Sequence, residues 1–449
     1  KNQLLPFYDV FDEGRYFEPG TDLTIIKVGN RRFGIIICED GWNDKGTDNY
    51  DYRVCPLQRY RDAGVNDIIS LNSSPFVKGK PERRMEMIRR SSENGIIVYV
   101  NQIGGQDELV FDGNSFICRD GAIVDEISVF DANQTYKIYD EDTLESLYKP
   151  QGNDMDVLYA ALKIGLGDYI RKSGFSEIVV GSSGGIDSAV VLALAADVLG
   201  ADKVHGIRMP SKYSSEGSVL DAFILHKNLG CNDYLVPISH LEEIKEVNKQ
   251  LNVPGDRKYN KVADENWQAR ERGRIIMHFS NAYGVLPLTT GNKTELALGY
   301  CTLYGDMNGG FAPINDLYKL DVKDVARYIN KKAGKEIIPT AIIEKAPSAE
   351  LAPGQTDEAS LLPYPILDPI VCSYIESYIG DFENYKDLVM QSGDIVCQNW
   401  VQLEGAKPQY DRMIRLIKLN EFKRRQAAPG IKVCKVAFGT GRRLPIVKK

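Results

Sequence analysis

The chain has 449 residues, enough for two or three domains with cores of their own, and its 55 lysines and arginines against 62 acids give a net charge of −7. That balance speaks against a broad nucleic-acid surface and leaves a nucleotide substrate open, so small-molecule partners and no nucleic acid are expected. Eight cysteines at 38, 55, 118, 231, 301, 372, 397 and 434, without a Cys-x-x-Cys pair and beside only four histidines, argue against a structural zinc site and a secreted disulfide framework.

Most of the cysteines read as small buried hydrophobes in a reducing cytosol, and a cytoplasmic location is expected. No apolar run reaches membrane-spanning length, and neither a membrane segment nor a signal peptide is expected. The chain opens on Lys1 within motif-like sequence, so a further stretch is expected upstream. Short β-rich runs then recur at 22–28, 32–38, 67–71, 95–101, 115–118 and 122–126, with one helix expected over 82–94. A polar segment around 136–154 interrupts the apolar periodicity, which suggests a first domain over 1–140, a linker over 141–155 and a second domain over 156–449. Beyond it the pattern is strand 177–180, helix 187–199, strand 203–209, helix 216–228 and strand 233–237. Such alternation predicts βαβ units, a parallel sheet and an α/β class. From Lys319 onward helices and loops are expected.

The run from Ile178 to Ala189 carries the most chemistry. A short apolar strand empties into Gly181-Ser182-Ser183-Gly184-Gly185-Ile186-Asp187-Ser188 and then into a helix. Glycines let backbone N–H groups approach an anion, serines offer hydroxyls, and the helix contributes the positive end of its dipole. Asp187 would repel a phosphate unless magnesium lies between them. The turn has neither the Gly-Lys-Ser/Thr ending of a Walker loop nor a Gly-x-Gly-x-x-Gly fingerprint. It resembles the Ser-Gly-Gly-x-Asp-Ser loop of the ATP pyrophosphatases, which cleave ATP between the α and β phosphates and adenylate a carbonyl oxygen. In the segment 288–295, Thr290 is placed to meet the adenosine and Glu295 offers a second carboxylate for magnesium. Asn266, Arg270 and Arg274 share one helix face, which suits either a polar substrate or a solvated, salt-bridged surface.

Together with the glycine loop, the segments 209–215, 265–270, 290–295, 305–313, 347–351 and 422–426 resemble NAD synthetase over nearly the whole second block. That resemblance implies a Rossmann-like ATP-pyrophosphatase domain that amidates nicotinic acid adenine dinucleotide through an adenylate. It puts ATP on residues 181–188 and Thr290, the metal on Asp187 and Glu295, and the dinucleotide near Asn266, Glu295 and Lys423. Magnesium and a lysine would neutralise the departing pyrophosphate, with Lys293, Lys319 and Lys423 as candidates.

In the first block, Arg32 to Trp42 carries Cys38 at the end of a buried strand with acids just beyond it. A cysteine so placed is more often packing than catalysis, so its surroundings must decide. They resemble the nitrilase-type amidohydrolases, whose Glu, Lys and Cys hydrolyse amides through a thioester within an αββα sandwich. The resemblance assigns the nucleophile to Cys38, the lysine to Lys1, which stands one residue further from Leu5-Pro6 than the pattern expects, and a supporting glutamate to Glu13. It leaves the proton-shuttling glutamate to sequence upstream and makes Tyr8, Ser74 and Lys80 candidates for binding glutamine. Residues 101–113 match the amidase domain of glutamine-dependent NAD synthetases, which implies ammonia supplied by glutamine hydrolysis, and a homo-oligomer. The competing expectations are an ammonia-only synthetase with a non-catalytic amidase domain, and another adenylating amidotransferase of the ATP pyrophosphatase class.

Overall fold

The computed structural model describes residues 3–42, 52–130, 154–239, 241–251, 259–348, 350–352, 361–439, 441–442 and 444–446. Lys1 and the expected linker, apart from two residues that open a helix, lie outside them. The chain divides into two units, Lys1–Gly165 with Lys432–Lys435, and Leu166–Ile431 with Val436–Lys449.

The first unit holds a six-stranded sheet in the order β1-β2-β3-β4-β7-β8: β1 Ile25–Val28, β2 Arg31–Ile37, β3 Asp67–Asn72, β4 Ile96–Asn101, β7 Phe116–Arg119 and β8 Ala122–Glu126. β2, β3 and β4 run parallel, and the outer neighbours pair antiparallel. β5 Ile103–Gln106 and β6 Leu109–Asp112 form a separate hairpin. Alternation along the strands sends Ile36, Ile68, Ile97, Tyr99 and Phe116 into a core with helices α1 Pro56–Asp62 and α2 Lys80–Ser91. Gly34 lacks a side chain because one would press against the Tyr60 ring, whose hydroxyl donates to the Ile35 carbonyl at 2.7 Å. On the other face Leu71 and Val100 are exposed and Ile35 and Ile37 half-buried. Helix α2 begins at Lys80 rather than at residue 82, because Gly79 turns the chain in the left-handed region and Pro81 starts the first turn.

Residues Lys432–Lys435 complete this unit from far along the chain. The Lys432 amide donates to the Glu108 carbonyl and the Lys78 amide to that of Val433, both at 2.9 Å, while the buried Lys432 ammonium lies 3.3 Å from Asp9.

The second unit is built on a parallel sheet in the order β11-β10-β9-β12, from β9 Ile178–Ser182, β10 Val204–Arg208, β11 Asn232–Leu235 and β12 Leu286–Leu288. After α3 Asp154–Lys172, the helices α4 Ile186–Leu199 and α5 Glu216–Leu229 connect the first strands, and α6 Leu241–Leu251 and α7 Val262–Tyr283 lead to β12. Further on come α8 Lys293–Leu298, α9 Lys319–Ala333, α10 Thr340–Glu344 and α11 Tyr364–Glu376. The expected α/β class and parallel sheet hold in this unit. Chain order reverses across β9, with β10 on one side and β12 on the other, so a crevice opens at their carboxyl ends where such sheets bind ligands.

Candidate active sites

The glycine loop lies at the carboxyl end of β9 and the 289–292 turn at that of β12, so the reversal of strand order brings together two segments a hundred residues apart. Gly184 has a φ of +78°, and a Cβ there would fall 2.2 Å from the Ser218 carbonyl oxygen, so only glycine fits. Ser188 Oγ donates to the Gly185 carbonyl at 3.0 Å, and Ser183 Oγ accepts from the Gly185 amide at 3.2 Å. Helix α4 has no side-chain cap at its N-terminus, which leaves its first amides for a ligand, and the buried Ser182 hydroxyl has no hydrogen-bond partner.

Asp187, in the first turn of α4, and Glu295, in the first turn of α8, converge on Lys319, the first residue of α9. The ammonium is 2.5 Å from the Asp187 carboxylate and 3.0 Å from that of Glu295, and Asn292 donates to the other Asp187 oxygen at 2.9 Å. Asn292 also caps α8 by accepting from the Glu295 amide at 3.0 Å. Burial by itself would lower the Lys319 pKa, but the two carboxylates outweigh it and hold the group protonated well above the ordinary lysine range. The three candidate lysines therefore separate. Lys293 is fully buried, its ammonium held by Asp316 at 2.8 Å, Glu376 at 3.1 Å and the Val436 carbonyl at 2.7 Å, which leaves it no reach to a phosphate. Lys423 donates to the carbonyls of Gly299 at 2.7 Å and Cys301 at 2.8 Å. Only Lys319 stands between the carboxylates.

Among the described residues no group of three His, Cys, Asp or Glu side chains could hold a metal unaided. Asp187 and Glu295 nevertheless bring two carboxylates to one point, a donor set whose chemistry fits a magnesium ion completed by phosphate oxygens, and the lysine between them places positive charge there.

Thr290 sits half-buried in the 289–292 turn. Asn266, on α7, accepts from the Thr302 hydroxyl at 2.8 Å, beside the segment whose carbonyls Lys423 holds. Arg270 donates to the Leu303 carbonyl at 3.1 Å on the same side, while Arg274, further along the same helix, is exposed and paired with Glu271, the salt-bridged surface that was the other reading of this face. Glu350 shows what the 347–351 motif does, although sequence reasoning quoted that motif without giving it a role. It accepts from the Ser215 hydroxyl at 2.8 Å and the Ser218 hydroxyl at 2.6 Å, next to the backbone that presses on Gly184.

In the first unit Cys38 ends β2 and starts a short 3-10 turn, Cys38–Gly41, with φ at +45°, a strained conformation for a non-glycine residue. Burial pushes its thiol up to about 11, against the pull of Lys80 and Arg84 and with help from Glu39. Burial, together with Arg84, takes the Lys80 ammonium down to about 8. Tyr8 and Tyr52 donate to the two oxygens of buried Glu39 at 2.8 and 2.7 Å, while burial raises the Glu39 carboxyl. Glu13 adds repulsion to Glu39, is itself raised by burial, and has one buried oxygen without a partner. Asp40 faces away from this chemistry and accepts from the amides of Gln3 and Leu4, both at 2.8 Å, which pins the segment that carries Tyr8.

Ser74 is buried and anchored through its backbone: its amide donates to Asn101 at 2.9 Å and its carbonyl accepts from Arg84 at 3.4 Å. Arg84 is wholly buried and pairs with Asp112 through two bonds of 3.0 and 3.1 Å. This network holds the loop that delivers Lys80 toward the thiol. The structure thus gathers Cys38, Tyr8, Glu13 and Lys80 around Glu39, a residue given no role from the sequence although it directly follows Cys38; Lys1 lies outside the described residues.

Residues 158–427 match the family described as NAD synthase. The chain is 42% identical to a glutamine-dependent NAD(+) synthetase of Synechocystis over 455 residues, covering 99% of this chain and 78% of the relative. It is 38% identical to a glutamine-dependent NAD(+) synthetase of Acinetobacter baylyi with the same coverage. Among solved structures, the glutamine-dependent NAD+ synthetase of Acinetobacter baumannii in complex with adenosine diphosphate superposes with a TM-score of 0.69 at 34% identity, over 99% of this chain and 78% of that one.

Proposed function

We propose that this chain, which belongs to the NAD synthase family, carries out glutamine-dependent NAD+ synthesis, and that its two sites divide the work. In the second unit the nicotinate carboxylate of nicotinic acid adenine dinucleotide attacks the α phosphate of ATP and pyrophosphate leaves. Ammonia then attacks the adenylated carbonyl, AMP departs, and the amide of NAD+ is formed. The observation that carries this reading is Lys319 held between Asp187 and Glu295 at the mouth of a glycine loop that no side chain could replace.

The loop amides and the serine hydroxyls of residues 181–188 bind the triphosphate, and Thr290 meets the adenosine. Magnesium on Asp187, Glu295 and the phosphate oxygens would neutralise charge that builds on the leaving pyrophosphate. Lys319 is already charged and desolvated, so it stabilises that charge without reorganising. Asn266, Glu295 and Lys423 border the dinucleotide, with Lys423 acting by shaping the 299–301 carbonyls.

In the first unit Cys38 attacks the amide carbonyl of glutamine, ammonia leaves, and water hydrolyses the thioester to glutamate. Lys80 faces the glutamine carboxylate, while Tyr8 and Ser74 shape its pocket. Lys1 and Glu13 hold the oxyanion-stabilising and supporting roles that the nitrilase resemblance implies. A cytoplasmic setting and a homo-oligomer belong to the same reading. All eight cysteines being free thiols agrees with a reducing compartment, and among the described residues no helix is long and apolar enough to cross a membrane.

The test is NAD+ and pyrophosphate formation from ATP, magnesium and the dinucleotide, run in parallel with ammonium chloride and with glutamine. Product in both lanes supports the coupled reaction, and in Cys38→Ala the glutamine lane should fall silent while the ammonium lane persists. Product with ammonium alone would support the synthetase and favour an uncoupled amidase or the ammonia-only reading, and silence in both lanes would refute the ligase.

A further inference from the structure

Behind the Lys319 cluster, with its two carboxylates, lies a third that no step of the reaction uses. Asp368, buried in α11, accepts from the Thr294 hydroxyl at 2.6 Å with one oxygen and from the Leu320 amide at 2.8 Å with the other. Thr294 immediately precedes Glu295, and Leu320 immediately follows Lys319. The Lys319 amide also donates to the Thr294 hydroxyl at 3.4 Å, and the Tyr364 ring, one turn before Asp368, lies 5.4 Å from the Lys319 ammonium. Two turns further along α11, Glu376 repeats the device, accepting from Lys293 at 3.1 Å and from the Tyr318 hydroxyl at 2.6 Å.

We infer that Asp368 is a positioning residue for amide formation, a bracket that fixes the register of α9 against α8 and so holds the Lys319 ammonium where it meets Glu295. The inference rests on the ligase reading given above. A carboxylate is a costly choice for mere filling. The Thr294 hydroxyl, the Leu320 amide and Lys319 favour its charged form, yet burial, with repulsion from Asp321 adding to it, pushes its acid up to about 6. What it provides that an apolar side chain cannot is two acceptors aimed at two different helices, each one residue from a charge of the site. A displacement of about 1 Å at such a charge lowers turnover by about a hundredfold.

The experiment compares Asp368→Ala, Asp368→Asn and Thr294→Val with the unmodified chain in the ammonium-driven reaction, below the melting temperature of each. Asp368→Ala should lower kcat by about 10- to 100-fold while KM for the dinucleotide and for ammonium stays within about twofold. Asp368→Asn should recover most of it, because its amide oxygen can accept from Leu320 and its NH2 can donate to Thr294. Thr294→Val should also lower kcat, and the Thr294→Val, Asp368→Ala double variant should lose less than the two losses multiplied. Amide hydrogen exchange over residues 318–322 should quicken in Asp368→Ala and remain slow in Asp368→Asn, whether or not the chain turns over.

An Asp368→Ala protein with unchanged kcat would overturn the bracket, as would an Asn variant as impaired as the Ala variant or exchange that does not respond. An unmodified chain that forms no NAD+ with either nitrogen source would overturn the ligase reading instead, and the exchange rates would still decide the bracket.

Discussion

A thiol pushed up to about 11 is a poor nucleophile on its own, and Cys38 should show this on direct chemical challenge. At pH 8 a free cysteine with a pKa of about 8.5 is roughly one-quarter thiolate, whereas Cys38 would be about one part in a thousand, a deficit of about 200-fold. The more basic thiolate is intrinsically more reactive and regains about tenfold, so alkylation by iodoacetamide should run about 20-fold slower than for an unhindered thiol. Site-resolved mass spectrometry of the Cys38 peptide, sampled over time between pH 7 and 10, measures this directly. The rate should climb about tenfold per pH unit with no plateau below about pH 10. Lys80→Met removes the leading charge that lowers the thiol, so Cys38 should react more slowly still at pH 7, where the Lys80 ammonium with its pKa of about 8 is mostly charged. A plateau below pH 9, or a rate at pH 8 equal to that of a free thiol, would refute the reasoning and make Cys38 a pre-formed thiolate. The expected behaviour means that, under the proposed glutaminase reading, a base takes the thiol proton in the step itself.

Three further outcomes follow from the second unit. Gly184→Ala forces a Cβ against the Ser218 carbonyl at a φ of +78°, so ATP binding measured by calorimetry should be lost while the dinucleotide still binds. Lys319→Met leaves Asp187 and Glu295 facing each other without a cation, which should lower stability by about 3 kcal/mol. Magnesium should then raise the melting temperature of that variant more than that of the unmodified chain, and an equal response would count against a cation site there. Asp368 has its acid raised to about 6 in the fold, so its contribution to stability is complete below the unfolded pKa near 4 and is lost as pH rises through 6. Asp368→Asn should therefore be more stable than the unmodified chain above pH 6, by up to about 3 kcal/mol, with the gain vanishing below pH 4 in urea titrations.

What was legible in the chain follows the range of the interactions. The glycine loop, its strand and its helix are contiguous, and their local rules agree, so the site could be read directly. Helix α1, the glycine-bearing β5 and the three-residue β12 with Pro287 at its centre escaped notice, because proline and glycine argue against strands and short elements carry little periodicity. The three candidate lysines could not be ranked, since what distinguishes them is a set of partners between 23 and 143 positions away. Glu350 lies in the 347–351 motif, but its partner Ser215 is 135 positions away, so the motif could be seen without its role, and Arg84 on Asp112 and Asp368 on Thr294 are products of tertiary packing that no motif announces. Glu39 was an omission whose signal was present, as the acid directly after Cys38.

The membership of Lys432–Lys435 in the first unit has a consequence for how the protein is made. A ribosome releases the sheet and helices of that unit hundreds of residues before it reaches the segment that satisfies the Lys78 amide and the Glu108 carbonyl. The first unit must therefore wait through synthesis of nearly all of its neighbour before its last segment is available. A gene cut at residue 165 would yield a first unit that lacks one of its own parts.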